Sequence, residues 1–161
     1  MDALGTVAPA VVPTVVPAAA PLLTPLRRIP HPLGDIQHGL KATDDGYAGF
    51  GEAYFTRVLP GAVKGWKRHS RMQLNLMVPC GAVRFYVRDD SGRRYAFLLG
   101  DDPGTVAGAQ YARLTVPPGW WVAFEGVGMA LNQVLNLASI AHDPQEATTA
   151  DLGAFPLEAA P

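Results

Sequence analysis

Residues 72–99 read MQLNLMVPCGAVRFYVRDDSGRRYAFLL, and this stretch decides the fold class. It holds three short runs rich in apolar residues, which predict strands at Met72–Val78, Val83–Arg88 and Arg94–Leu99. Glycine, proline, serine and aspartate separate the runs, and these residues are typical of tight turns. No long helical pattern alternates with the runs, so the stretch predicts β-structure rather than an α/β fold.

The polarity of the run Val83–Arg88 changes from residue to residue. Apolar Val83, Phe85 and Val87 fall on one face, and Arg84, Tyr86 and Arg88 on the other. Four further strands are predicted at Glu52–Val58, Tyr111–Val116, Trp121–Phe124 and Met129–Leu137. Short strands at this spacing predict an all-β domain, a β-sandwich or jelly-roll barrel in which one face of each strand lines the interior.

The composition supports one ordinary domain and excludes several classes of protein. The chain has 161 residues, of which 48% are hydrophobic and 17% charged, so it can bury a core. The formal net charge of −1 gives no overall attraction to nucleic acid or to an anionic membrane. The single cysteine, Cys80, cannot form an internal disulfide, which predicts a small buried residue in a cytoplasmic protein.

The amino-terminal segment differs from the rest of the chain. Within its first 26 residues, proline recurs every four residues, at Pro9, Pro13, Pro17, Pro21 and Pro25. Because proline breaks helices, this spacing argues against a membrane-spanning helix and a secretory signal. We predict an extended Pro/Ala-rich arm at residues 1–33, a barrel at residues 34–150 and a loose tail at residues 151–161.

Basic residues concentrate in the middle of the chain. Nine lysines and arginines lie between Arg57 and Arg94, against two acids, Asp89 and Asp90. Arginine and lysine together suit the recognition of a compact phosphate-like anion. The same residues also serve solubility where they lie at strand edges, and both interpretations stay open at this point.

The segment PGAVKGWKRH at residues 60–69 carries a resemblance to a known family. A strand follows it, then a closing glycine at Gly81 and later a Val-Pro-Pro-Gly turn at residues 116–119. This layout resembles the cupin superfamily, and within it most the dTDP-4-dehydrorhamnose 3,5-epimerase family and related dTDP-sugar isomerases. The resemblance covers residues 34–150, and the segment AHDPQE at residues 141–146 is similar to the family's carboxyl-terminal region.

The resemblance implies a particular chemistry and a particular assembly. The family moves a proton next to the ketone of a 4-keto-6-deoxy sugar nucleotide, with no metal and no cofactor, and forms homodimers. This chain departs from the pattern, because Lys67 stands where the family has its base histidine and Gln73 where it has a lysine. The predicted strand Met129–Leu137 contains no counterpart of the family's tyrosine. In metal-binding cupins the ligand positions correspond to Lys67, His69, Gln73 and Val122, a set that does not suit a transition metal.

Three residues are candidates for the proton transfer. Histidine is the residue type most often used as a general base, and His69 is the first candidate base. In an extended strand Lys67 points to the same side as His69, so it is a second candidate base, and Tyr86 is a candidate proton donor. The candidates for binding a sugar nucleotide are Lys64, Arg71, Arg84, Trp66, Gln73 and Trp121.

Two other functions remain open beside the sugar-nucleotide isomerase. A non-catalytic cupin that binds a sugar nucleotide or another small anion would fit the replaced family residues. A metal-free lyase or cyclase acting on an apolar small molecule would fit an interior lined by tryptophan. For all three, we expect a small-molecule ligand and a homodimer, with neither nucleic acid nor a membrane as partner.

Overall fold

The computed structural model describes residues 19–158. Its strands, numbered along the chain, are β1 Leu22–Pro25, β2 Arg28–Ile29, β3 Ile36–Gln37, β4 Glu52–Val58, β5 Val63–His69, β6 Leu74–Cys80, β7 Ala82–Arg88, β8 Arg94–Gly100, β9 Ala112–Val116, β10 Trp121–Gly126, β11 Asn132–Ala138 and β12 Ala147–Thr149. Two single-turn 3₁₀ helices, Pro144–Glu146 and Leu152–Ala154, flank β12. None of the helices within residues 19–158 is long and apolar enough to cross a membrane.

Two five-stranded antiparallel sheets pack face to face. The first sheet has the order β1-β9-β6-β11-β4 and the second β12-β5-β10-β7-β8, while β2 and β3 form a small separate hairpin. Between the sheets lies one apolar core to which both contribute, with Leu76 and Leu114 from the first and Phe85 and Val87 from the second. The prediction of an all-β, cupin-like sandwich is therefore confirmed.

Turn residues and the alternation of polar and apolar residues predicted the position of most strands correctly. The strand predicted at Glu52–Val58 has those bounds in the structure, and the other predicted strands overlap observed ones with ends shifted by a few residues. Strand β5 has no counterpart among the predicted strands, because its charged residues and glycine show no apolar alternation. Its glycine is required, since a Cβ at Gly65 would lie 2.3 Å from the Cβ of Ala123 on β10.

The outer face of the second sheet is covered by the carboxyl-terminal segment. Trp66, Tyr86 and Trp121 form a buried cluster there, and Phe155 and Leu157 pack against it. Tyr86 thus lies on the face opposite Val83, Phe85 and Val87, as its alternation predicts, yet only 7% of it is exposed. Residues 151–161 were expected to form a loose tail, but the part that the structure describes, to residue 158, docks on this aromatic cluster.

The predicted arm is described only in part. Residues 1–18 lie outside the described residues. Within the remainder, β1 pairs with β9 from Leu22 opposite Thr115 to Pro25 opposite Ala112, and the indole Nε1 of Trp120 donates to the carbonyl of Ala19 at 2.8 Å. The second half of the expected arm therefore forms an edge strand of the first sheet.

Candidate active site

A cavity of about 340 Å³ lies between the two sheets. One wall comes from β4, β6 and β11, and the other from β5, β10 and β12. The side chains and backbone that line it belong to Tyr54, Thr56, Lys64, Gly65, Trp66, Lys67, His69, Leu74, Leu76, Val122, Phe124, Val134, Asn136 and Thr149. Apolar walls with a few polar groups are typical of a small-molecule site.

His69, which lines this cavity, forms a buried pair with the carboxylate of Glu146, which is outside the lining. His69 is 5% exposed and Glu146 4% exposed, and the imidazole Nδ1 is hydrogen-bonded to the Oε1 of Glu146. The other oxygen, Oε2, accepts from the backbone amides of Arg71 at 3.1 Å and Met72 at 3.2 Å. Both oxygens of the carboxylate are therefore partnered, and one of them faces His69.

The charge state of Glu146 determines the tautomer of His69. Burial by itself would raise the pKa of this carboxyl, but the hydrogen bonds from His69 and from the amides of Arg71 and Met72 outweigh it. They lower the pKa of Glu146 from 4.5 to about 2, so the group is ionised at neutral pH. An ionised carboxylate only accepts hydrogen bonds, so Nδ1 carries the proton. In the neutral imidazole Nε2 is then the nitrogen with the free lone pair, the form that a general base needs.

Backbone pairing brings Glu146 to His69 across the sequence. The Asp143 carboxylate accepts from the amide of Gln145 at 2.9 Å and so caps the 3₁₀ turn that ends at Glu146. Strand β12 then pairs with β5, placing Ala147 opposite His69. The sequence signal for this turn is the Asp-Pro pair at residues 143–144, but nothing in the sequence alone indicates which strand the turn packs against.

A β-bulge brings two lysines into the same cavity. Residues 64 and 67 are three apart, so in a regular strand they would lie on opposite faces. The pairing of β5 with β10 shifts register here, with Val122 opposite Lys67 and Phe124 opposite Lys64, so β5 has one extra residue. As a result Lys64 and Lys67 both line the cavity with His69, and none of the lining residues from the described part of the chain, 19–158, is a carboxylate. The Nζ of Lys64 donates to the Thr56 hydroxyl at 3.0 Å.

A tyrosine that the sequence interpretation did not single out also faces the cavity. The phenol oxygen of Tyr54 accepts a hydrogen bond from the Asn136 side-chain amide at 3.0 Å, and both residues line the site. Because this oxygen acts as acceptor toward Asn136, its own proton remains available for donation. The alternation of β4 places Tyr54 on the same face as Thr56 and Val58, a signal that was present in the sequence.

Tyr86, a predicted proton donor, is not brought to the cavity. It lies on the outer face of β7, and its hydroxyl donates to Glu125 at 2.8 Å. Burial and this hydrogen bond raise the pKa of the phenol, which holds its proton more tightly. The reason is the strand period of two, because Phe85 takes the inward position.

Several predicted binding residues also lie elsewhere. Arg84 and Trp121 share the outer face with Tyr86, where the Arg84 guanidinium is 3.5 Å from Glu125 and the Trp121 indole donates to Asp90 at 3.1 Å. Arg71 pairs with Asp143 at 2.6 Å on the surface. Gln73 donates to the Gly46 carbonyl and holds a loop in place. These contacts are structural and leave the four side chains outside the lining of the cavity.

Trp66 contacts both the cavity and the outer aromatic cluster. It borders the cavity, but its ring is 1% exposed in the outer aromatic cluster, and Nε1 donates to the Leu152 carbonyl at 3.2 Å. Its expected stacking on a ligand is therefore replaced by packing against protein.

The donor set does not form a metal centre. Within residues 19–158 no cluster of three or more histidine, cysteine, aspartate or glutamate side chains is arranged to hold an ion. At the cavity, His69 is accompanied by two lysines, by neutral polar side chains and by apolar residues. The two ammonium groups suit an anion rather than a divalent cation.

Comparison with known proteins shows that solved structures share this fold. No protein-family model and no curated protein matches the chain. Among solved structures, a sugar 3,4-ketoisomerase from Thermoanaerobacterium thermosaccharolyticum in complex with TDP superposes with a TM-score of 0.66 at 16% identity, covering 80% of this chain and 86% of that one. A dTDP-4-dehydrorhamnose 3,5-epimerase from Sulfolobus tokodaii gives 0.71 at 15% identity, covering 84% and 80%. At these identities the similarity concerns the fold alone.

A third solved structure is much more similar in sequence. The dTDP-sugar isomerase from Desulfovibrio desulfuricans G20 is 33% identical, with a TM-score of 0.77, and the match covers 85% of this chain and 87% of that one. A match of this extent and identity takes in most of the sandwich that carries the site. The chain therefore belongs to the family of dTDP-sugar isomerases.

Proposed function

We propose that this protein is a sugar-nucleotide isomerase that moves a proton next to the ketone of a 4-keto-6-deoxy sugar nucleotide, with His69 as the base. The observation that carries the proposal is the buried His69–Glu146 pair at a cavity of about 340 Å³. Membership of the family of dTDP-sugar isomerases supports the substrate class.

The first step is removal of a carbon-bound proton. Nε2 of His69 takes the proton from the carbon next to the ketone, and the electron pair moves onto the ketone oxygen to give an enolate. Glu146 stabilises the imidazolium that forms and keeps the ring in its orientation, since both of its oxygens are held. In this arrangement His69 is the catalytic residue and Glu146 positions it.

The positive charge of the cavity suits both the enolate and the diphosphate. Lys64 and Lys67 line the same space, and an ammonium group near a developing oxyanion lowers the barrier to its formation. The Tyr54 hydroxyl is a proton donor on the opposite wall, carried by the other sheet. Return of a proton to the opposite face of the same carbon gives an epimer. Return by His69 to the former ketone carbon, with transfer of the proton of the adjacent hydroxyl to the former ketone oxygen, moves the ketone to the neighbouring carbon.

The protein forms a homodimer in this proposal. Strand β4 is one of the two edge strands of the first sheet. It contains Phe55, which is 61% exposed, and Phe50, just before the strand, is 64% exposed. Large apolar side chains grouped at a sheet edge are favourable to cover with a second copy. Sedimentation equilibrium of the wild type and of Phe55→Glu tests this, since the substitution should shift the mass to that of a monomer. A cytoplasmic location remains a prediction from the single thiol.

The decisive experiment is incubation with dTDP-4-keto-6-deoxyglucose in D₂O, followed by proton NMR of the sugar. Deuterium at both C3 and C5 identifies a 3,5-epimerase, and a product with its ketone at C3 identifies a 3,4-ketoisomerase. Binding of dTDP with no exchange at any carbon would replace the proposal by a non-catalytic cupin. The absence of both dTDP binding and deuterium exchange would favour the lyase or cyclase for an apolar molecule.

A further inference from the structure

The carboxyl-terminal segment places Phe155 on the outer face of the second sheet, whose strand β5 carries His69. The ring of Phe155 lies edge-on to Trp66, with centroids 5.6 Å apart, and at 5.4 Å from the ring of Trp121. The guanidinium carbon of Arg88 lies 4.2 Å from the centre of the same ring. One phenylalanine thus takes part in three ring contacts, each of a kind that stabilises beyond simple burial.

The same segment also contributes two residues to the candidate active site. Glu146 orients His69, and Thr149 lines the cavity. Between these residues and Phe155, Ala150 exchanges two backbone hydrogen bonds with Trp66, at 3.0 and 3.2 Å. The segment is therefore attached to the site at one end and to the aromatic cluster at the other.

Strand β12 has few partners of its own in the sheet. It has only three residues and lies at the edge of the second sheet, with β5 as its sole neighbour in that sheet. So short an edge strand contributes little pairing energy of its own. Trp66 connects the two ends, because its backbone pairs with Ala150 while its ring receives Phe155 and its Nε1 donates to Leu152.

We infer that residues 143–158 act as a clamp, and that docking of Phe155 against Trp66 and Trp121 holds Glu146 on His69. Phe155 is then a positioning residue for the base on the opposite side of the sheet. The link to catalysis rests on the proposed function, whereas the link from Phe155 to the state of His69 does not.

A purely structural role for Phe155 makes a different prediction. If the ring only fills the outer face, its loss lowers the melting temperature and leaves His69 as it was. If it fastens the clamp, its loss releases Glu146, and the imidazole of His69 no longer has one fixed tautomer. The tautomer is therefore the property that separates the two roles.

The test is ¹⁵N NMR of the histidine side chains with amide hydrogen exchange, on the full chain without ligand. In the wild type, His69 should show the pattern of a single Nδ1–H tautomer. In Phe155→Ala this pattern should become that of a mixture of tautomers, and the amides of Trp66 and Ala150 should exchange at least about tenfold faster. Phe155→Tyr, which keeps the ring, should resemble the wild type. Phe97→Ala is the matched control, because it removes a partly buried ring that packs on the core between the sheets.

Each outcome decides the inference. A fixed Nδ1–H tautomer in a folded Phe155→Ala protein would overturn it, even with faster amide exchange. If Phe155→Ala does not fold, Phe155→Leu is assessed in the same way. Because the measurement needs no substrate, a wild type that exchanges no deuterium into the sugar defeats the proposed function and leaves the clamp standing.

Discussion

Replacing Glu146 by glutamine removes the charge behind His69 with almost no change in volume. In the folded protein the pKa of this carboxyl falls from 4.5 to about 2. Since a tenfold change in an equilibrium constant corresponds to about 1.4 kcal/mol, the ionised carboxylate contributes about 3 kcal/mol to the free energy of unfolding. Because folding lowers the pKa, this contribution is fully present above about pH 4.5 and is lost as the pH falls toward 2.

Urea denaturation between about pH 7 and about pH 2.5 measures this contribution. We expect Glu146→Gln to be less stable than the wild type by about 3 kcal/mol near pH 6, with the difference closing as the pH approaches about 2.5. Glu158→Gln is the matched control, because Glu158 is exposed and paired with Arg94 at 3.3 Å, and its effect should stay below about 1 kcal/mol. Parallel curves for the wild type and Glu146→Gln over the whole range would refute the ionised, hydrogen-bonded state assigned to Glu146.

Three further predictions concern the walls of the site. Gly65→Ala should lower the free energy of unfolding, measured by urea denaturation, by at least about 2 kcal/mol, because the new Cβ would lie 2.3 Å from the Cβ of Ala123 on β10. Gly153→Ala is the control and should be nearly neutral, because a Cβ there has no atom within 4 Å. Lys64→Met and Lys67→Met should each weaken dTDP binding by about tenfold in calorimetry, and a wild-type affinity unaffected by salt would contradict this. Tyr54→Phe should abolish any epimer while leaving dTDP affinity within about threefold, and an unchanged epimerisation rate would exclude Tyr54 as the donor.

The fold could be predicted from the sequence because its signals are local. Turn residues and short apolar runs fix where strands begin and end, and the alternation at Val83–Arg88 correctly assigned the two faces of β7. The burial of Tyr86 could not be predicted in this way. It depends on residues about seventy positions later, whose small and mixed side chains give no periodic pattern.

The site could be predicted only in part, for two physical reasons. His69 and Lys67 follow from strand geometry, since residues two apart share a face. The inward position of Lys64 depends on a bulge in the pairing with β10. Gly65 within the bulge is a sequence signal for it, but the glycine does not specify the register with β10. Glu146 is separated from His69 by 77 positions, and only the pairing of β12 with β5 brings them together.

The central claim is that His69 removes the proton, and one measurement tests it directly. Deuterium incorporation from D₂O into dTDP-4-keto-6-deoxyglucose is compared for the wild type, His69→Asn and His31→Asn, where His31 is an exposed histidine outside the cavity lining. We predict that His69→Asn lowers the rate by at least about a hundredfold while still binding dTDP, and that His31→Asn does not change it. Exchange at the wild-type rate in a folded His69→Asn protein would contradict the account.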